Sequence, residues 1–155
     1  MKTRRLKNLY FLLLIVLLNL IGQVTTAQPS ALNAYTWKKR VLLVFTAHSK
    51  HALYQEQIKA FEQATAGVLD RDLVVFKVVG NKGYTPDHKR LTKFQNQQLR
   101  KHYEVLPRQF QVILIGKDGG EKMRTIKQTM DVKRLFRTID AMPMRRSEMR
   151  RKGGK

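Results

Sequence analysis

The residues of this chain best equipped for chemistry stand together, as His48-Ser49-Lys50-His51. Imidazoles three residues apart can share a metal ion or move a proton, a serine beside a base can act as a nucleophile, and a lysine can hold an anion. Each role sets a condition. Two histidines supply half of a tetrahedral metal site and need further ligands. A nucleophilic Ser49 needs a base and an oxyanion site in place, and the segment lacks the Gly-x-Ser-x-Gly elbow. The plainer reading is a solvated polar loop in which Ser49 caps the following helix. Gly116–Gly120 lacks the Gly-Lys-Ser/Thr ending of a phosphate loop, and its Asp118-Gly119 pair signals a hairpin turn.

Two elements must position the His48–His51 segment. Val41–Ala47 is apolar without alternation, as in a strand buried on both faces. From Ala52 the period becomes helical, with Tyr54, Ile58, Phe61 and Thr65 on one face and Glu56, Lys59 and Glu62 on the other. In an open α/β sheet, the crevice beyond the carboxyl end of a central strand is the usual ligand site. The four polar residues fall there.

Leu73–Val79 reads as a second buried strand, stopped by Gly80-Asn81-Lys82-Gly83, and completes a right-handed βαβ unit. Thr85-Pro86-Asp87 predicts a helix from about Pro86 to Tyr103 with a thin apolar face of Leu91, Phe94, Leu99 and Tyr103. Phe110–Ile115 and the charged edge strand Glu121–Ile126 make a hairpin. Val132, Leu135, Phe136, Ile139 and Met142 define a last helix behind Asp131, which Pro143 stops. Trp37, just before the first strand, is expected to pack against the sheet rather than to stand exposed as a binding aromatic. The order predicts an α/β, thioredoxin-like, three-layer fold. Its central mixed sheet has about four strands, a parallel βαβ half plus an antiparallel edge hairpin, flanked by about three helices.

The 155 residues carry a formal net charge of +20, from 31 Lys+Arg against 11 Asp+Glu. Lys2, Arg4, Arg5 and Lys7 precede the apolar run Leu9–Gly22, and Thr25-Thr26-Ala27 follows it. That is the pattern of a secretory signal peptide cleaved after Ala27; the run falls short of the ~20 apolar residues of a membrane anchor. The expected organisation is a leader over 1–27, a short mobile N-terminus over 28–34, one domain over 35–142 and a basic tail over 143–155. The destination is periplasmic or extracellular. The leader holds little of the surplus charge, so the folded surface itself should attract polyanions. Lys89, Arg90, Lys93, Arg100 and Lys101 in the second helix, with Arg150, Arg151 and Lys152 in the tail, are the candidate contacts to anionic polymers or a membrane surface. The tail reads equally as a solubilising extension. Nucleic acid is disfavoured by export and by the lack of aromatics interleaved in that tail. Cysteine is absent, which excludes disulfides, thiol catalysis, Cys-ligated zinc and lipidation through cysteine. No cofactor is expected.

Four blocks go further: Tyr35-x-Trp37-Lys38-x-Arg40 with the strand after it, Arg71-Asp72-Leu73-Val74-Val75-Phe76, Leu114–Gly120-x-Lys122, and Ile139–Arg146-x-Glu148-Met149. They resemble the signature of a bacterial domain-of-unknown-function family similar to the prokaryotic-eukaryotic DUDES domains, related to domains of vertebrate secreted matrix and sushi-repeat proteins. The resemblance implies a thioredoxin-like, peroxiredoxin-related fold in exported proteins, and it carries over no catalytic residue. The wider thioredoxin class places reactive thiols where Ala47–His51 stands here. Its cis-proline would fall near Phe110 or Gln111, and Pro107 comes too early. Gln111 therefore joins His48, Ser49, Lys50 and His51 as a candidate ligand-binding residue. The reading is an exported, non-catalytic interaction domain for anionic envelope or matrix components. Its alternative is a cysteine-independent oxidoreductase or metal-assisted enzyme using the His48–His51 loop.

Overall fold

The computed structural model describes residues 28–153; the leader and its cleavage site lie outside them. The central strand β1 (Arg40–Thr46) is buried at every position, which accounts for its unbroken apolar run. Its odd-numbered side chains Val41, Leu43 and Phe45 point into one core with Phe76, Val78, Leu99 and Ile113. Its even-numbered Leu42 and Val44 point into a second core with Phe61, Leu73, Val112, Leu135 and Ile139. One strand thus divides two cores and sets three layers.

After β1 come α1 (Ala52–Gln63), α2 (Thr65–Asp70), β2 (Leu73–Val79), β3 (Lys82–Tyr84), α3 (Lys93–His102), β4 (Gln111–Ile115), β5 (Glu121–Ile126), α4 (Val132–Asp140) and α5 (Pro143–Gly153). The sheet order is β3-β2-β1-β4-β5. β2 runs parallel to β1, with Arg40 opposite Leu73 and Thr46 opposite Val79. β4 runs antiparallel to β1, with Phe45 opposite Gln111, so the start of β4 meets the end of β1. The mixed thioredoxin-like sheet is as expected, with a fifth strand added.

The departures have local causes. β3 arises where a stop was expected: Gly80 turns the chain at φ +55°, and Lys82–Tyr84 folds back on Lys77–Val79. Thr85-Pro86-Asp87 forms a closed turn, not a helix start, with the Thr85 hydroxyl accepting from the Lys89 N–H at 3.1 Å. Helix α3 begins only after Thr92, where Thr92 and Gln95 complete a reciprocal capping box. This start leaves Phe94, expected on the apolar face, 65% exposed and turns Asn96 inward. The first helix breaks at Ala64 into two. Gln28–Ala34, expected to be a mobile lead-in, places Leu32 in the core with no exposure.

The largest departure follows Pro143. Proline ends one helix and suits the first turn of the next, so the expected basic tail is the helix α5. Buried charge fastens it. Arg40, 1% exposed, donates from Nη1 and Nη2 to the two carboxylate oxygens of Glu148 at 3.1 and 3.2 Å. Lys117 bridges Glu148 at 2.7 Å and Asp72 at 2.9 Å. Arg145, also buried, binds Asp70 and Asp140, and Arg71 closes on Asp140 at 2.6 Å. Burial alone would raise the Asp72 carboxyl, but the Lys117 and Lys39 ammonium groups outweigh it and hold it at about 2. Burial likewise opposes ionisation of Glu148, and the Arg40 and Lys117 cations beside it bring its pKa below the ordinary value.

Glu148→Gln is expected to destabilise the fold by about 3 kcal/mol, the scale for breaking a buried pair from one side. Replacing Arg40 and Glu148 together by Met should recover part of that loss; urea denaturation of both variants checks it. Because these acids have depressed folded pKa values, their stabilisation is complete above the unfolded carboxylate pKa of roughly 4 and fades as pH falls toward the folded value. Melting temperature should therefore drop between about pH 4 and pH 2, and the drop should be shallower in Glu148→Gln.

Candidate functional site

The loop after β1 sits at the carboxyl edge of the sheet, as its sequence position requires. Thr46 holds its entry by donating its hydroxyl to the His48 carbonyl at 3.1 Å. His48, Ser49 and Lys50 are exposed. The cap of α1 is His51, whose side chain makes no capping bond, so Ser49 is not the cap. The Ser49 carbonyl instead accepts from Gln55 Nε2 at 2.6 Å. The two imidazole rings lie 5.8 Å apart between centroids. His51 stacks on Phe110 at 5.7 Å with the rings 7° from parallel. The structure thus brings His51 to the start of β4, where the thioredoxin class keeps its cis-proline; no cis peptide bond occurs among the described residues.

Gln111, one residue on, is buried and engaged. Its Nε2 donates to Gln109 Oε1 at 2.6 Å, and its Oε1 accepts from Arg124 Nη1 at 2.9 Å. Arg124 also donates to the Tyr103 carbonyl and is held by the Glu121 carboxylate at 2.6 Å. It was legible in the sequence only as an edge-strand charge, because Tyr103 and Gln111 come from two other segments. The neighbouring Tyr103 hydroxyl is buried, and desolvation, aided by the Glu121 charge, pushes its pKa up to about 12. No hydrogen bond joins Ser49 to either imidazole, and no group of three or more His, Cys, Asp or Glu among the described residues is placed to hold a metal ion.

The candidate polyanion contacts divide. Arg100 is not available to solvent ligands: its Nη2 donates to the carbonyls of Thr46 at 3.3 Å and Gly80 at 3.0 Å, and its guanidinium lies 5.5 Å from the Phe45 ring centroid. It closes the end of the β1–β2 pair. Lys152 binds Asp70 at 2.8 Å, and Lys89 pairs with Asp87 at 3.0 Å. Arg90, Lys93, Lys101, Arg150 and Arg151 are exposed and have no carboxylate partner among the described residues. They do not form one patch. Helix α3 reaches the end of β1 through Arg100, whereas α5 binds its beginning through Glu148.

Trp37 overturns its expected packing role. It is 67% exposed, at a backbone φ of +64°, because its N–H is drawn to the Lys117 carbonyl at 2.6 Å and the chain must turn sharply into β1.

The sequence model of the family described as Domain of unknown function (DUF4174) matches residues 31–148. The chain belongs to this family. The matched span runs from the buried turn before β1 to Glu148, which closes the ion cluster on α5. Among curated relatives, the DUF4174 chain is 30% identical over 132 residues to human sushi repeat-containing protein SRPX, covering 83% of this chain and 28% of that protein. It is 23% identical over 133 residues to zebrafish (Danio rerio) coiled-coil domain-containing protein 80, covering 76% of this chain and 15% of that protein. The chain thus spans less than a third of these relatives. Reduced 2-Cys peroxiredoxin of Plasmodium vivax superposes with a TM-score of 0.56 at 19% identity, over 75% of this chain and 84% of that one. Plasmodium yoelii thioredoxin peroxidase I gives 0.56 at 17%, over 75% and 79%. The DUF4174 domain therefore has the thioredoxin-like fold. Charged residues from all four signature-like blocks, Arg40, Arg71, Asp72, Lys117, Asp140, Arg145 and Glu148, meet in the ion cluster at the far end of β1 from the His48–His51 loop.

Arg100→Met is expected to lower stability by about 1–3 kcal/mol through the charge-assisted hydrogen bonds to the Thr46 and Gly80 carbonyls that it removes. Lys101→Met, one residue away and exposed, should stay within about 0.5 kcal/mol of the parent. Thermal unfolding of the pair checks this assignment.

Proposed function

We propose that this domain is an exported, non-catalytic interaction module that binds anionic polymers of the envelope or matrix. The observation that carries the reading is the surplus of positive charge, 31 Lys+Arg against 11 Asp+Glu, together with where it stands. Asp70, Asp72, Asp140 and Glu148 are engaged in fastening α5, and Asp87, Asp118 and Glu121 pair locally. Arg90, Lys93, Lys101, Arg150 and Arg151 remain exposed with no carboxylate partner among the described residues. Such a surface gathers polyanions by counterion release, with affinity that falls steeply as salt rises. The absence of any cysteine, together with a loop in which no hydrogen bond joins Ser49 to an imidazole and a facing Gln111 on β4 that is already bonded, supports a binding role over a catalytic one. Export draws its support from the leader pattern and from the likeness to a sushi repeat-containing protein.

The logarithm of the retention factor on a sulfated-polysaccharide resin should fall linearly with the logarithm of salt concentration. Neutralising Lys93, Lys101, Arg150 and Arg151 to Gln should make that slope shallower and elute the protein at lower salt. Retention that ignores salt, or that is unchanged in the fourfold variant, rejects the reading.

A further inference from the structure

Trp37 is the only tryptophan of the chain, and the fold holds it outward. Its left-handed backbone is a conformation a bulky residue rarely adopts. It is fixed from both sides, since the next two amides, of Lys38 and Lys39, both donate to the Tyr35 carbonyl at 3.0 and 2.8 Å. Strain and exposure in one large aromatic are two departures from ordinary packing at one position. The indole forms a wall of an open cleft of about 630 Å³. Helix α5 supplies Met144, Ser147, Arg150 and Arg151 to the same cleft. The floor is Lys117 and Glu148, whose charges are spent on each other at 2.7 Å and on Asp72 and Arg40 behind them. The Ser147 hydroxyl accepts from Arg150 Nη2 at 3.0 Å, which orients that guanidinium along the rim.

We propose that this cleft binds one acidic sugar unit of a polysaccharide. The pyranose lies with its C–H face on the Trp37 indole, and its carboxylate or sulfate lies on Arg150 and Arg151. This rests on the reading of the domain as a polyanion-binding module and gives that reading an address. The residue types match the two halves of such a ligand. An aromatic face and the polarisable Met144 suit the apolar face of a sugar ring. Planar guanidinium forks suit carboxylate and sulfate oxygens. One indole and a partly exposed thioether in a concave site offer too little apolar surface for bilayer insertion. Single-stranded nucleic acid is met by several aromatics along a groove, and here there is one.

Since Trp37 is the sole tryptophan, its fluorescence reports this cleft alone. Purified protein is titrated at low salt with a galacturonic acid tetramer, a chondroitin sulfate tetramer and the neutral cellotetraose. A saturable change is expected with an acidic tetramer and none with the neutral one; which acidic tetramer binds tells carboxylate from sulfate. Arg150→Gln with Arg151→Gln should weaken binding by about tenfold or more, as should Trp37→Ala followed by calorimetry, with melting temperatures unchanged because all three side chains are exposed. No saturable change with either acidic tetramer overturns the proposal. So does equal affinity in the variants, or a response confined to phosphatidylglycerol vesicles or to oligo(dT). If the sulfated resin still retains the protein while the cleft is silent, the cleft assignment alone falls; if the resin also fails, the wider reading falls with it.

Discussion

The pair between Arg40 and Glu148 is the constraint on which the rest of this structure depends. A guanidinium at the first position of the central strand, stripped of water, would be intolerable without a carboxylate presented to both its nitrogens. That carboxylate comes from α5, more than a hundred residues later, and can reach Arg40 only if the chain continues as a helix after Pro143. Lys117, from the β4–β5 hairpin, and Asp72, from the start of β2, join the same cluster. Three separate segments are thereby fastened to the beginning of β1.

Such a cluster adds less stability than its Coulomb attractions suggest, because each group loses its hydration. It adds specificity of arrangement: a misplaced α5 leaves buried charge unpaired on both sides. The cluster takes up at least as many cations as carboxylates, Arg40, Arg71, Lys117 and Arg145 among them, so the basic surface follows from the surplus of Lys and Arg in the composition.

The two ends of β1 have different characters. At the carboxyl end, where thioredoxin-like folds place their chemistry, His48, Ser49 and Lys50 are exposed while three neighbouring side chains hold the structure: Arg100 on strand carbonyls, Gln111 on Arg124, His51 on Phe110. At the amino end, Trp37 stands out from the surface beside a basic helix. The same sheet that gives one end its customary crevice leaves the other end to carry the exposed aromatic and the exposed arginines of α5.

Much of this was legible in the sequence. The buried strand β1, the parallel strand β2, which is only partly buried, the Asp118-Gly119 hairpin, the helix behind Asp131 and the surplus of positive charge follow from periodicity, turn chemistry and composition, which are local quantities. The four signature-like blocks pointed to the domain-of-unknown-function family and, through it, to the thioredoxin-like fold. The start of α3 was also written locally, in Thr92 and Gln95, but the competing Thr85-Pro86-Asp87 signal was the more conspicuous of the two. What the sequence by itself determined was the order of elements, the two-sided burial of β1 and the sign of the surface. What only the tertiary structure decided was which charges are spent and which are free. Arg100 and Arg150 look alike in a list of basic residues; one caps a strand pair and the other faces solvent. Trp37 looked like a packing residue until the Lys117 carbonyl drew its backbone into a left-handed turn. In each case the deciding partner lies far along the chain, and a partner's position is a property of the fold and not of the residues beside it.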